Sequence, residues 1–437
     1  MQLSASVPPG VAAENVARAL DALVAAGEID AVEAGVRREA YARSEAMPFP
    51  TPPSARYWKR DPSAYDWSAV EICQADPAPG ESVIAEGAPL VADAAAYGRS
   101  WRNLATAVVE PRARERGVVV TDMRTARARH ADLFATAGRA LESAPSKSGL
   151  LARALARNGA FVFVPAGVVL DAPILFDHRS DGDDEFSHSL ILAEAGAQFT
   201  AIERFFGETN RLVCVLTEIF AADGAQVGYA SLAEHGAAAT TLFTRRALCG
   251  AGASIELSVA DLGDAYVSDS IVSTNEAPGG RSSLAALFFT SGKQHVDVAS
   301  EVRHLVGNTT SETVVKSAGI GRGQGRYVGN IVIAANAHGS DASLRDDVLL
   351  LSKNAHVDSI PALEIAANDV KAFHGATVGS IDADELFYAE SRGLAREEAE
   401  RMIALGFFEP AIERFPSDAL RETIRRSLSS KLGGGES

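Results

Sequence analysis

Cysteine is scarce in this chain. The 437 residues include three, Cys73, Cys214 and Cys249, far apart and in no CxxC or CxH pair. That excludes a disulfide framework and a zinc or iron–sulfur site built from local sequence. Any metal cluster would need ligands from elsewhere, which points to another chain. Long apolar runs are absent too. No window approaches the roughly 18 to 20 residues of a membrane span, and the opening MQLSASVPPG has no basic region followed by an apolar core. A cytoplasmic protein is expected. Basic runs are also missing, and the net charge is −16, from 41 Lys and Arg against 57 Asp and Glu. Such a balance argues against nucleic acid and anionic membrane as partners. The run Gly319-Ile-Gly-Arg-Gly-Gln-Gly325 matches neither G-x-G-x-x-G nor G-x-x-x-x-G-K-[ST], and no helix follows to aim N–H groups at phosphate. It reads as a turn. Without a Walker A lysine the chain is expected not to hydrolyse ATP itself.

What is present changes texture along the chain. From Glu14 to Ala46, Val16, Leu20, Leu23 and Val24 recur at helical spacing, with Pro8-Pro9 ahead as a start signal. Consecutive prolines between Met47 and Pro53 end that segment. Residues 69–120 are ambiguous, and a second helical stretch, Thr121 to Leu155, is interrupted near Pro145. From Asn158 to about Thr377, β-favouring runs of five to eight residues are punctuated by glycine. Gly196-Ala197, Gly224-Ala225 and Gly252-Ala253 follow one another at 28 residues, each after an apolar run and before an alternating one. A repeat with no helical spacer favours coils of strand stacked into a parallel β-helix over a βαβ sheet, whose crossover helix needs about a dozen residues. A β-sandwich or jelly roll is the alternative.

The segment Pro361–Gly393, PALEIAANDVKAFHGATVGSIDADELFYAESRG, marks where sheet gives way to helix. His374 lies in its β part beside Gly375, and Asp382 sets an N-cap with Glu385 three residues on. Three helices are expected after it: Asp384 to Ser391 closed by Gly393, Arg396 to Leu405 closed by Gly406, and a last one after the N-cap Ser417. The tail from Gly433 to Ser437 is expected to be disordered.

The pattern LEI…DV…HGATVG-x-ID…LFY…SRG, continuing into Glu398-Ala399 and Gly406-Phe407, closely resembles the C-terminal signature of the SufD branch of the SufB/SufD family of iron–sulfur cluster assembly proteins. Ala55-Arg-Tyr-Trp-Lys59 resembles the family's E-x-W-K element, with Arg56 where an acidic residue is usual. The resemblance implies a right-handed parallel β-helix flanked by N- and C-terminal helical domains. The expected domains are a helical or mixed one at 1–157, the β-helix at 158–380, a helical one at 381–432 and the tail 433–437. It implies a non-catalytic subunit that pairs with a SufB-like paralogue through the last coil and grips a SufC-like ATPase with the C-terminal helices. Leu386, Phe387, Tyr388, Arg392, Gly406 and Phe407 would carry that grip. ATP-driven dimerisation of SufC would pull on both β-helix subunits and open their interface to iron and sulfide. A nascent iron–sulfur cluster would be shared transiently with the partner. Whether a reduced flavin binds in the complex stays open, as does a homodimer acting alone.

Individual residues carry this reading unequally. An imidazole can hold iron beside thiolates, so His374 is the metal or cluster candidate, against a histidine that merely bonds within a β turn. The family often has cysteine two residues earlier. Here it is Ala372, so thiolates must come from the partner. Cys214 and Cys249 sit among apolar neighbours and read as small buried hydrophobes. His295, Asp297 and His304 resemble the family's HxD…H stretch and read first as polar residues lining a coil, with a metal pair on one strand face as the lesser alternative. A carbohydrate-active β-helix enzyme would need convergent carboxylates. Asp341, Asp346, Asp347 and Glu364 are the residues on offer, without a convergent second cluster.

Overall fold

The fold is given by a computed structural model that describes residues 11–49, 62, 65–67, 70, 94–101, 104–157, 159–180, 182, 184–209 and 211–433. Cys73, the Ala55–Lys59 element and residues 434–437 lie outside them. Two helices, α1 (Ala13–Ala25) and α2 (Ala31–Ala46), open the described chain where one helical segment is expected, because the chain turns at Gly27, whose φ is 71°, and restarts at the N-cap Asp30. Then come β1 (Ala96–Trp101), β2 (Leu104–Val109), α3 (Pro111–Glu115), β3 (Val119–Asp122), α4 (Met123–Arg129), α5 (Ala131–Phe134), α6 (Arg139–Ser143) and α7 (Lys147–Leu155).

The column follows. Its strands are β4 (Ala160–Val164), β5 (Ile174–Arg179), β6 (Glu185–Ala193), β7 (Gln198–Gly207), β8 (Leu212–Ala221), β9 (Gln226–His235), β10 (Thr240–Cys249) and β11 (Ser254–Asp261). They continue as β12 (Tyr266–Asn275), β13 (Arg281–Thr290), β14 (His295–His304), β15 (Thr310–Gly319), β16 (Gln324–Ile333), β17 (Asp341–Leu350), β18 (His356–Ile365) and β19 (Lys371–Ser380). From β5 onward odd strands form one parallel sheet and even strands another, so each successive pair is one coil of a β-solenoid of about seven turns. Three helices close the described chain: α8 (Ala383–Ser391), α9 (Arg396–Ile412) and α10 (Asp418–Lys431).

The 28-residue glycine repeat is one corner of the column. Gly196, Gly224 and Gly252 have φ of 68°, 69° and 62°, and the row continues through Gly279, Asn308 and Gly339. Asparagine tolerates this left-handed conformation better than most side chains, which is why Asn308 can replace glycine there. Each corner N–H donates to the next coil, as from Gly196 to the Asp223 carbonyl at 2.9 Å and from Gly224 to that of Ala251 at 2.8 Å. Gly321, in the glycine-rich run, makes a turn between β15 and β16 with φ 69°.

Inward residues of the two sheets form one continuous core, including Val213, Val215, Phe243, Val259, Leu284, Val298, Ile331 and Leu344. A few charged groups are buried in it and paired. Glu203 accepts from Ser189, Thr217 and Tyr229 and faces His178 Nε2 at 2.8 Å. Burial alone would raise its carboxyl, but these partners outweigh that and hold it below the usual range. Arg245 bonds Asp269 and Ser231, while burial and the neighbouring Asp269 push Asp261 up to about 8.

The outer faces explain the uninterrupted apolar strands. α9, α10 and the turn between them lay Phe408, Ile412, Phe415, Leu420 and Ile424 on the outer side of the odd sheet, against Leu232, Phe289 and, just past β11, Leu262. α7 covers Leu212, Cys214, Leu216 and Leu242 of the even sheet, with α2 packed on α7 and α1 on α2. β8 and β10 are therefore buried on both faces, as Leu-Val-Cys-Val-Leu suggests. α9 runs through Gly406 to Ile412, with Pro410 inside it, where a stop at Gly406 is expected from sequence. Burial of Phe408, Ala411 and Ile412 against the column outweighs the local stop signal.

The two ends of the column differ. At the first coil β1 pairs with β5 and carries β2 antiparallel to it, while β3 runs antiparallel to β4, so strands from before residue 158 finish both sheets. At the last coil, among the described residues, β19 pairs only with β17 and β18 only with β16. The described helices lie on the faces, and no described residue closes that end.

Candidate functional site

The open end holds His374. In the register of β17 and β19, Ala342, Leu344, Asp346 and Val348 stand beside Ala372, His374, Ala376 and Val378. Parallel partners share a face, and Ala342, Leu344 and Val348 belong to the core, so His374 is on the inward face of the last coil. No further coil among the described residues covers it, and it is exposed. Across the mouth β18 turns Val357, Ser359, Pro361 and Leu363 inward, in register with Gly325, Tyr327, Gly329 and Ile331. Pro361 suits an edge strand, which has no neighbour to receive its missing N–H.

Large apolar side chains surround this edge without cover. Phe373 is 55% exposed and Val378 54%, with Ile360 and Ile365 also in the exposed class. A long uncovered strand with apolar side chains is a surface that natural proteins normally hide or pair. On the outer face Lys316 Nζ lies 2.7 Å from Asp347, and the Thr377 hydroxyl donates to Asp347 at 2.7 Å, clamping β19 to β17. Burial pulls the Asp347 carboxyl up, and those two donors outweigh it, leaving it below its ordinary range.

One rung in from the edge, Asp346 is fully buried, and neither carboxylate oxygen has a hydrogen-bond partner. Burial pushes it up to about 7, and the nearby Ser359 hydroxyl, outside normal hydrogen-bond geometry, counters this in part. Asp341 and Asp347 have the opposite strand parity to Asp346, and Glu364 lies outward where Asn330 donates to it at 2.9 Å. These carboxylates do not converge. Among the described residues no three His, Cys, Asp or Glu side chains converge on a metal-sized point.

The other candidates stand elsewhere. Asp297 is buried and held by both ends of the Arg326 guanidinium, with Nε at 2.8 Å. His304 is buried, with Thr309 at 2.7 Å from Nδ1 and Ser311 at 2.9 Å from Nε2, and burial lowers it to about 4. His295 starts the same ten-residue strand that His304 ends. Cys214 and Cys249 are buried free thiols; burial raises both, Cys249 to about 11, so neither is a ready thiolate.

The helical candidates divide into two sets. Asp382 caps α8, accepting from Asp384 N–H at 2.7 Å. Phe387 and Tyr388 are 70% and 60% exposed, and Arg392 donates to the Tyr388 hydroxyl at 2.9 Å. Leu386 is instead buried with Ala389 and Ala399, and Phe407 packs against the column with Lys316 Nζ 4.5 Å from its ring. Gly406 is mid-helix with open space where a Cβ would stand. Met402, exposed on α9, joins the accessible set and has no sequence signal beyond its type.

A protein-family model, SUF system FeS cluster assembly, SufBD core domain, matches residues 176–407, more than half of the chain. The chain belongs to the SufBD family of iron–sulfur cluster assembly proteins. It is 29% identical over 291 residues to an iron–sulfur cluster assembly SufBD family protein of Mycobacterium leprae, covering 65% of this chain and 33% of that one. Identity is 27% over 331 residues to SufD of Bacillus subtilis, covering 73% and 75%, and 26% over 326 residues to its SufB, covering 72% and 70%. The chain thus spans about a third of the first relative's length. The SufBD family core includes the column from β5, with His374 and the exposed residues of α8 and α9 inside the matched range. No helix among the described residues is long and apolar enough to cross a membrane.

Proposed function

We propose that this SufBD-family chain works as a SufD-type subunit, non-catalytic itself, in a complex with a SufB-like paralogue and a SufC-like ATPase. The uncovered last coil carries the reading: an apolar strand edge with an exposed imidazole at the mouth needs a partner to finish it. A SufB-like last coil would pair with β18 and β19, supplying thiolates that Ala372 and the buried cysteines do not. His374 would add one ligand to the nascent cluster, which is cargo. The exposed Phe387, Tyr388 and Met402 would dock the ATPase. Only Ile381 and Asp382 separate β19 from α8, so a pull on that helix acts on the strand that bears His374.

The test is the solution mass of the chain alone, with the SufB-like paralogue, and with both partners. Stable co-migration of all three supports the reading. A chain that ignores both partners, dimerises with itself and shows a cluster chromophore alone after anaerobic reconstitution would establish the homodimeric scaffold instead.

A further inference from the structure

The role given to His374 leaves Asp346 unexplained. It stands one strand further in on the same inward face, in register with Ala376, and on the diagonal from His374. Diagonal neighbours on adjacent strands are about 7–8 Å apart, within reach of long and aromatic side chains. Its surroundings are Val315 below, Leu344 and Val348 along the strand, and Tyr327 and Ser359 across the lumen. The Tyr327 hydroxyl is engaged with Ser300 at 2.6 Å. The cation nearest in effect, Lys316, is on the outer face against Asp347. Both oxygens of Asp346 and the Ser359 Oγ are buried and make no hydrogen bond of normal geometry, although the Ser359 hydroxyl faces the carboxyl closely enough to pull it down in part. A carboxylate this dry and weakly satisfied is strongly disfavoured in its charged form unless a cation or a proton neutralises it.

Resting on the reading of His374 as a ligand, we propose that Asp346 and Ser359 form the inner half of a divalent-cation site at the column mouth, with His374 as its outer donor. One imidazole nitrogen, one carboxylate and one hydroxyl suit ferrous iron and its like-sized substitutes Mn2+, Co2+ and Zn2+, not a soft ion such as Cu+. The Ala376 methyl is a small lid between this pocket and solvent. A partner's thiolates would complete the coordination from outside, so iron could be seated on this chain before sulfur arrives.

Anaerobic Co2+ titration of the isolated chain, followed through the ligand-field bands, tests it. One ion per chain is expected, with affinity reduced at least about tenfold in both Asp346→Asn and His374→Ala and less in Ser359→Ala. Co2+ anomalous scattering from wild-type crystals should place the ion between His374 and Asp346, a result that does not depend on any variant folding. Unchanged binding in Asp346→Asn, an ion located elsewhere, or no Co2+ binding at all overturns the site. None of these touches the assembly reading, which is judged by complex formation.

Discussion

His374→Ala is expected to leave the unfolding midpoint of the isolated chain unchanged and to lower cluster yield in the three-protein complex at least about tenfold. The first half follows from exposure. The imidazole lies at the mouth of the column and makes no hydrogen bond within the described residues, and such substitutions usually stay within about 0.5 kcal/mol. The second follows from ligand chemistry, since losing even an outer-shell partner of a metal ligand costs about 10–100-fold in affinity. Yield is read from visible absorption after anaerobic reconstitution. Wild-type yield in the variant would return His374 to a structural role.

Glu33→Gln should destabilise the docking of the N-terminal helices by about 3 kcal/mol at neutral pH. Glu33 accepts from Arg37 Nε at 2.9 Å, from Arg153 at 2.7 and 3.2 Å, and from Arg127 at 3.2 Å, joining α2, α4 and α7. Burial would raise its carboxyl, yet the three guanidinium groups win and lower it from 4.5 to about 2. A folded-state value below the unfolded one gives stability that is present above about 4.5 and lost as pH falls towards about 2. The wild-type advantage in urea unfolding should therefore shrink through that window. A gap that stays constant with pH would mean the glutamate acts by packing. This cluster corrects an impression left by the sequence: basic residues are dispersed along the chain but gathered by the fold.

The column was readable because its corners need left-handed backbone at a fixed interval and its strands alternate, two signals that survive without an alignment. The caps of α8 and α10 were readable for the same local reason, through Asp382 and Ser417. Gly406 misled because its stop signal is local while the burial of Phe408 and Ile412 is tertiary. The candidate site was half legible. His374 stood out by motif, but its inward direction depends on register with Leu344, thirty residues earlier. Asp346 and Asp347 look equivalent as a pair of adjacent aspartates. Parity alone separates them, sending one into the dry lumen and the other to Lys316.

The central claim is that the last coil is a docking edge. Hydrogen exchange of peptides covering 356–365 and 371–380, alone and with the SufB-like paralogue, tests it most directly. Fast exchange in the free chain and at least about tenfold slower exchange in the complex is the predicted result, because a second edge would satisfy the outward N–H groups. A complex that forms while both strands exchange as before would place the partner elsewhere and contradict the account.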